Sequence, residues 1–173
     1  VGQEVSFEAY FLARMNFIFN GIFSENLYLG NSLLEPKNVI DDKLQKFDLI
    51  ISNPPFSLKL NSSIREQLNQ DPYGRFWNIA TRSADFIFIQ HILSSLNNRG
   101  KAIIITSSRL LFVSGQEGEI RKKLIEDDLI EAVISLGPGL LPNTGIPINL
   151  LIINKAKPPE RRNRILFVNA VDE

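Results

Sequence analysis

The chain has 173 residues, 44% apolar and 22% charged, the proportions of one ordinary globular domain with a sizeable core rather than a disordered or fibrous chain. Its 19 basic and 19 acidic side chains balance, which excludes whole-chain attraction to nucleic acid, so any DNA contact must be local or supplied by a partner. The absence of cysteine excludes a disulfide scaffold and a thiolate metal site; with no apolar run of membrane-spanning length and no secretory signal in "VGQEVSFEAY", the expected location is the cytoplasm.

Ser6, the run "FEAYFLARMNFIFN" and Gly21 predict a helix with a serine cap, acidic Glu8 in its first turn and a glycine stop. Phe11, Met15, Ile18 and Phe19 recur at helical spacing along it. "NLYLG" reads as a short strand, and "FDLII", residues 47–51, as the nearly continuous apolar run of a strand covered on both faces. Residues 57–82 turn polar and are broken by Pro72 and Gly74, which predicts a long functional or mobile loop.

In "SADFIFIQHILSSLNNRG", Ser83 is expected to cap a helix, Asp85 to favour its N-terminus by charge, and Gly100 to stop it. "KAIIIT" is a further buried strand and "GQEGEIRKKLIEDD" a short charged helix. "LIEAVISL" and "INLLIINK" are strands in succession without a helix between them, and "RILFVNAV" is an edge strand after the charged linker "KPPERRNR". The alternation predicts an α/β sheet ending in an antiparallel pair. One domain is expected over residues 1–173, with residues 155–173 its linker and edge strand.

The stretch that carries chemistry is "SNPPF", at the carboxyl end of the "FDLII" strand, the end where open α/β sheets collect their ligands. Pro54 and Pro55 fix φ twice and remove two donors, leaving carbonyl acceptors in a stiff loop. Asn53 adds a side-chain carbonyl and Phe56 a flat apolar face. As a turn the string is unremarkable, but a rigid pair of acceptors beside an aromatic plate suits a planar group that carries an NH₂ donor. An exocyclic amine on a base extruded from a duplex is such a group. Its lone pair is delocalised into the ring, so two acceptors drawing on its N–H bonds would localise that pair toward an electrophilic methyl group.

"DLIISNPPF" resembles the catalytic motif of amino-group DNA methyltransferases that use S-adenosylmethionine. "GQE", "LARMNFIFNGI", "LGNSLL", "FDLIISNPPF", "ADFIFIQHILSSLNNRGKAIII", "EIRKKLIEDDLIEAVISL" and "TGIPINLLIINK" resemble, in the same order, the modification (M) subunits of type I restriction-modification systems. The resemblance implies a Rossmann-like methyltransferase sheet that methylates the N6 amine of adenine in DNA, with specificity and restriction subunits as partners in a hetero-oligomer. It places Asn53 and the Pro54 carbonyl on the target amine, Pro55 as the stiffener of the loop and Phe56 stacked on the base. Glu4 matches the acid that accepts from the cofactor ribose hydroxyls. Asn31 stands where the family usually has an Asp that accepts from the cofactor's adenine amine. No metal site is expected.

The family's glycine-rich cofactor turn lies upstream of the acid matched by Glu4. The chain is therefore expected to be a piece of an M subunit, incomplete at its N-terminus and inactive alone. Two other readings stay open: a methyltransferase acting on RNA or on a protein glutamine amide, and a non-catalytic remnant that docks to a specificity subunit. His91, alone on its helix, is read as structural. Lys59 and Arg65 are candidate DNA neighbours, although a solvated face explains them as well. "GPGLLPNTG" lacks the ending of a phosphate loop.

Overall fold

In a computed structural model that describes residues 1–23, 26–141 and 145–171, the chain opens with a small parallel unit. Strand β1 (Gly2–Glu4) pairs with β2 (Leu27–Leu29), and helix α1 (Phe7–Phe19) connects them. Ser6 caps α1 as expected, its Oγ accepting from the Ala9 N–H at 3.3 Å, and Gly21 follows the helix with φ +70°. No residue of α1 is fully buried, and Phe11 and Phe19 are 54% and 79% exposed, because β1 and β2 are too short a platform to cover a helix of 13 residues. Strands β3 (Val39–Ile40) and β4 (Lys43–Leu44) form a hairpin whose two turn residues, Asp41 and Asp42, both have positive φ.

The main sheet contains β5 (Phe47–Ser52), β6 (Leu96–Ser107), β7 (Ile130–Leu136), β8 (Ile148–Asn154) and β9 (Leu166–Ala170), in the order β5-β6-β8-β7-β9. β5 and β6 run parallel, β8 is antiparallel to both β6 and β7, and β9 lies parallel to β7 at the edge. The expected terminal antiparallel pair is therefore present, and the chain is of the mixed α/β class. Helices α2 (Ser62–Asn69), α3 (Asp85–Ser95), α4 (Arg109–Phe112) and α5 (Gln116–Glu126) complete the fold. Phe86, Ile89 and Leu93 of α3 and Ile120 and Leu124 of α5 pack on Ile104, Leu151 and Ile153 of the sheet. Each such side chain contributes roughly 1.5–3 kcal/mol on burial, which fixes the register of the face that carries them.

Three expectations need correction. β5 is not covered on both faces: Ile50 packs on the core, while Leu49 and Ile51, which alternate to the opposite face, are 56% and 72% exposed. The predicted loop contains α2, capped by Asn61, whose Oδ1 accepts from the Ile64 N–H at 2.8 Å. Its two inward side chains, Ile64 and Leu68, stand four residues apart as a helix requires, but two apolar positions in a short polar run resemble a loop.

The third concerns α3. Ser83 does not cap this helix, and Gly100 does not stop it. The helix ends at Ser95, where the Lys155 Nζ donates to the carbonyls of Leu93 and Leu96 at 2.7 and 3.2 Å. Gly100 lies in β6, where the register with β5 shifts, and a Cβ there would stand 2.8 Å from the Phe47 carbonyl oxygen. Close approach of two backbones, not helix termination, explains the glycine.

Candidate active site

Because β5 and β6 are parallel, "SNPPF" and the start of α4 emerge at the same end of the sheet. Asn53 and Pro55 are exposed, and Pro54 and Phe56 are half-buried. None of the hydrogen bonds found among the described residues uses the Asn53 side chain, so its amide oxygen is open to a ligand. Behind the loop is a small, partly open space lined by Pro54, Phe56, Asp85, Ile105, Thr106 and Leu110. Phe56 is thus backed by the sheet end and by α4, which limits how far its ring can sink.

The loop ends in an unusual backbone. Ser57 has φ +54°, a left-handed conformation, and its N–H donates to Asp85 Oδ1 at 2.8 Å. One residue on, the Leu58 carbonyl accepts from the Ala84 N–H at 2.8 Å, and Lys59 bridges Ser83 in antiparallel fashion. Asp85 Oδ2 accepts from Ser83 Oγ at 2.9 Å and from Arg109 Nη1 at 3.4 Å, and the other guanidinium arm of Arg109 binds Glu117. Glu117 Oε1 in turn accepts from the backbone N–H groups of Arg82 and Ser83 and lies 3.2 Å from Ser83 Oγ, whose one proton goes to the nearer Asp85. Burial alone would raise the Glu117 pKa, but the hydrogen bonds from Arg109 and Ser83 outweigh it and hold the carboxyl below the usual range. Asp85 is the first residue of α3, as its reading as a helix-start charge requires, but its oxygens hold the loop. Sequence reasoning missed Arg109 and Glu117 because they lie 24 and 32 positions beyond Asp85 and belong to no motif with it.

Glu4 and Asn31 lie at the carboxyl ends of the paired strands β1 and β2, so the two candidate cofactor residues share one edge. Glu4 Oε1 accepts from the Ser6 N–H at 2.7 Å, which orients the carboxylate and leaves it further lone pairs for a diol. Asn31 fits an amine less freely, because its Oδ1 already accepts from the N–H groups of Leu33 and Leu34 at 3.0 and 3.3 Å. It closes a turn, and a ligand amine would share that oxygen with two backbone donors.

Residues 71–82 bring Arg75 into the interior. Its guanidinium pairs with Asp71 and lies within 3.0 Å of His91 Nδ1. Burial, then the Arg75 charge, push the His91 pKa down to about 4, against a smaller opposing effect of Asp71. A neutral imidazole can accept from Arg75, whereas a protonated one would set donor against donor. This supports the structural reading of His91.

Since the folded value lies below the ordinary 6.5, the unfolded chain takes up the proton first as pH falls. The stabilisation is whole above about pH 6.5 and is lost as pH falls toward 4, by roughly 3 kcal/mol in all. The expected result is that the stability difference between the native chain and His91→Gln, read by urea melts, shrinks from pH 7 to pH 4.5. A pH-independent difference would refute it.

Lys59 is exposed and Arg65, on α2, is half-buried. Among the described residues no group of three or more His, Cys, Asp or Glu could hold a metal ion, and no helix is long and apolar enough to cross a membrane. Of the stretch "GPGLLPNTG", and of the resembling run "TGIPINLLIINK" that begins inside it, residues 142–144 lie outside the described residues.

The model of the N-6 DNA methylase family matches residues 1–173. The type I restriction enzyme MjaVIII methylase subunit of Methanocaldococcus jannaschii is 38% identical, over 100% of this chain and 31% of its own length. The crystal structure of the type I restriction-modification methyltransferase subunit from Streptococcus thermophilus superposes with a TM-score of 0.83 at 32% identity, covering 97% of this chain and 35% of that one. A putative class I S-adenosylmethionine-dependent methyltransferase from Listeria monocytogenes shares the fold, with a TM-score of 0.73 at 18% identity over 98% of this chain and 48% of that one. The chain thus spans about a third of the length of the curated relatives it matches.

Proposed function

Because this chain belongs to the N-6 DNA methylase family, we propose that it carries the target-amine pocket of an enzyme that methylates N6 of adenine in DNA, with S-adenosylmethionine as methyl donor. The enzyme is the modification subunit of a type I restriction-modification system. The observation that carries this reading is the "SNPPF" loop itself: a doubly proline-stiffened turn at the sheet end, with an open Asn53 amide and a Phe56 ring backed by α4.

Asn53 Oδ1 and the Pro54 carbonyl accept the two N–H bonds of the amine, while Phe56 stacks on the base and holds it out of the duplex. Two acceptors favour a tetrahedral nitrogen whose lone pair points away from the ring. S-adenosylmethionine, when bound, would supply the electrophilic methyl group, its methyl–sulfur bond breaking as the nitrogen–methyl bond forms and the neutral thioether leaving. As the nitrogen gains that methyl it gains positive charge, which the two carbonyl dipoles stabilise until one of its original protons passes to water. No side chain with a raised pKa is required for that step. Glu4 would hold the cofactor ribose and Asn31 its adenine. Sequence recognition by a separate specificity subunit accords with the balanced charge of this chain, and a restriction subunit completes the hetero-oligomer, in the cytoplasm with its DNA.

The test is transfer of labelled methyl from S-adenosylmethionine to unmethylated DNA by the full-length chain with its specificity subunit. After hydrolysis the label is expected on N6-methyladenine. Label on cytosine, on RNA or on a protein glutamine, or no label at all, would overturn the reading.

A further inference from the structure

The left-handed backbone at Ser57 stands directly after the stacking plate. An L-residue in this conformation costs about 1–2 kcal/mol, and such strain persists where the surroundings over-determine it. Here the restraint is one directional bond, from the Ser57 N–H to Asp85 Oδ1 at 2.8 Å. It fixes the plane of the peptide between Phe56 and Ser57, and with it the exit direction of the chain from Phe56. The pairing of residues 58–59 with residues 83–84 makes the loop continuous with the start of α3.

Asp85 is itself held. It is 8% exposed, and its second oxygen receives Ser83 Oγ and Arg109 Nη1. Arg109 is anchored by Glu117, so α3, α4 and α5 each contribute one member of the cluster. A buried ion pair adds little net stability over an apolar pair of the same volume, but it gives an acceptor a fixed direction. α4 couples the two features of the loop: Arg109 steadies Asp85, and the next residue, Leu110, lines the space behind Phe56.

We infer that Asp85 is a positioning residue for the base pocket, with Ser83, Arg109 and Glu117 as its support. It sets the geometry of residues 53–57 through the Ser57 amide and touches neither base nor cofactor. Its catalytic consequence rests on the adenine reading above; its effect on the loop does not.

The test uses the full-length chain with its specificity subunit and three variants. Asp85→Ala removes the acceptor. Asp85→Asn keeps an oxygen at the same place but loses the charge. Asp85→Glu keeps the charge but moves the acceptor outward by roughly one bond, about 1.5 Å.

A displacement on the order of 1 Å at a reacting centre costs about 100-fold. That loss of kcat is expected for Asp85→Ala and Asp85→Glu, with KM for S-adenosylmethionine and affinity for DNA little changed. Asp85→Asn is expected to recover to within about tenfold of the native enzyme, because a neutral acceptor still satisfies the amide. Amide hydrogen exchange gives a readout independent of catalysis. Exchange at Ser57 should rise by roughly tenfold or more in Asp85→Ala, confined to residues 56–59, and should stay near native in Asp85→Asn.

Native kcat or native Ser57 exchange in Asp85→Ala would overturn the assignment. So would an Asp85→Asn variant as impaired as Asp85→Ala, or exchange raised evenly along the chain. If Asp85→Ala does not fold, Asp85→Glu decides by the same two readouts, and a native result for it overturns the assignment. A native enzyme that labels no adenine while Ser57 exchange responds as described would remove the adenine reading and leave Asp85 as the holder of the loop.

Discussion

Replacing Asn53 by alanine is expected to lower kcat for adenine methylation by about 100- to 1,000-fold, the loss typical when one preorganised polar group aimed at developing charge is removed. Asn53 is exposed and ties down no other described residue, so truncation leaves the fold alone. The melting temperature of the full-length protein should not move. Asn53→Asp keeps an acceptor oxygen at the same place and is expected to retain more activity than Asn53→Ala. Single-turnover transfer of labelled methyl, with a melt on each variant, checks both statements. Label on adenine at the native rate after Asn53→Ala would defeat the proposed chemistry. Coupling to Asp85 gives a second handle. If Asp85 acts by placing Asn53 and its loop, its removal should cost much less once Asn53 is already alanine, whereas independent effects would multiply.

The contrast between these two residues shows what the sequence could reveal. Asn53, Pro54 and Phe56 lie within four residues and follow an apolar strand, so the chemistry proposed for them can be read from a dozen letters. Asp85 acts on the same loop from 28 positions away, and Arg109 and Glu117 support it from farther still. Nothing in one chain marks such partners, because the fold alone brings α3, α4 and α5 to one end of the sheet.

The same difference runs through the fold itself. β6, β7 and β8 announce themselves as apolar runs, and the antiparallel pair follows from the lack of a helix between the last two. α2 does not, because only Ile64 and Leu68 of its eight residues are apolar, too short a run to stand out from the polar stretch around it. β5 looks two-sided in sequence, but only its Ile50 face is covered, and Leu49 and Ile51 on the other face are exposed.

Arg75→Met is expected to destabilise the protein by about 3–5 kcal/mol, the cost of removing one partner of a buried ion pair. Arg75 is 1% exposed, and its guanidinium binds Asp71 Oδ1 through Nε and Nη2 at 2.9 and 2.7 Å. The same group donates to the carbonyls of Ser32 and Leu33 at 2.9 and 2.7 Å and lies 4.6 Å from the centre of the Phe76 ring.

Methionine fills much of the volume but satisfies none of these acceptors, and it strands the Asp71 carboxylate, whose side chain is 5% exposed. Lysine is not a substitute, because one ammonium cannot reach a carboxylate and two carbonyls in the planar spread that the guanidinium matches. With a total stability of roughly 5–15 kcal/mol, the loss would remove a large part of what holds the domain together.

Urea melts of the full-length chain measure it, and a change below about 1 kcal/mol would place this arginine with exposed ion pairs instead. The double variant Asp71→Asn, Arg75→Met should regain part of the loss, since the stranded charge is gone. The Ser32 and Leu33 carbonyls follow directly on Asn31. Wherever the variant folds, it should therefore also raise KM for S-adenosylmethionine more than it lowers kcat, because it loosens the turn beside the proposed cofactor residue while the "SNPPF" loop keeps its hold on Asp85.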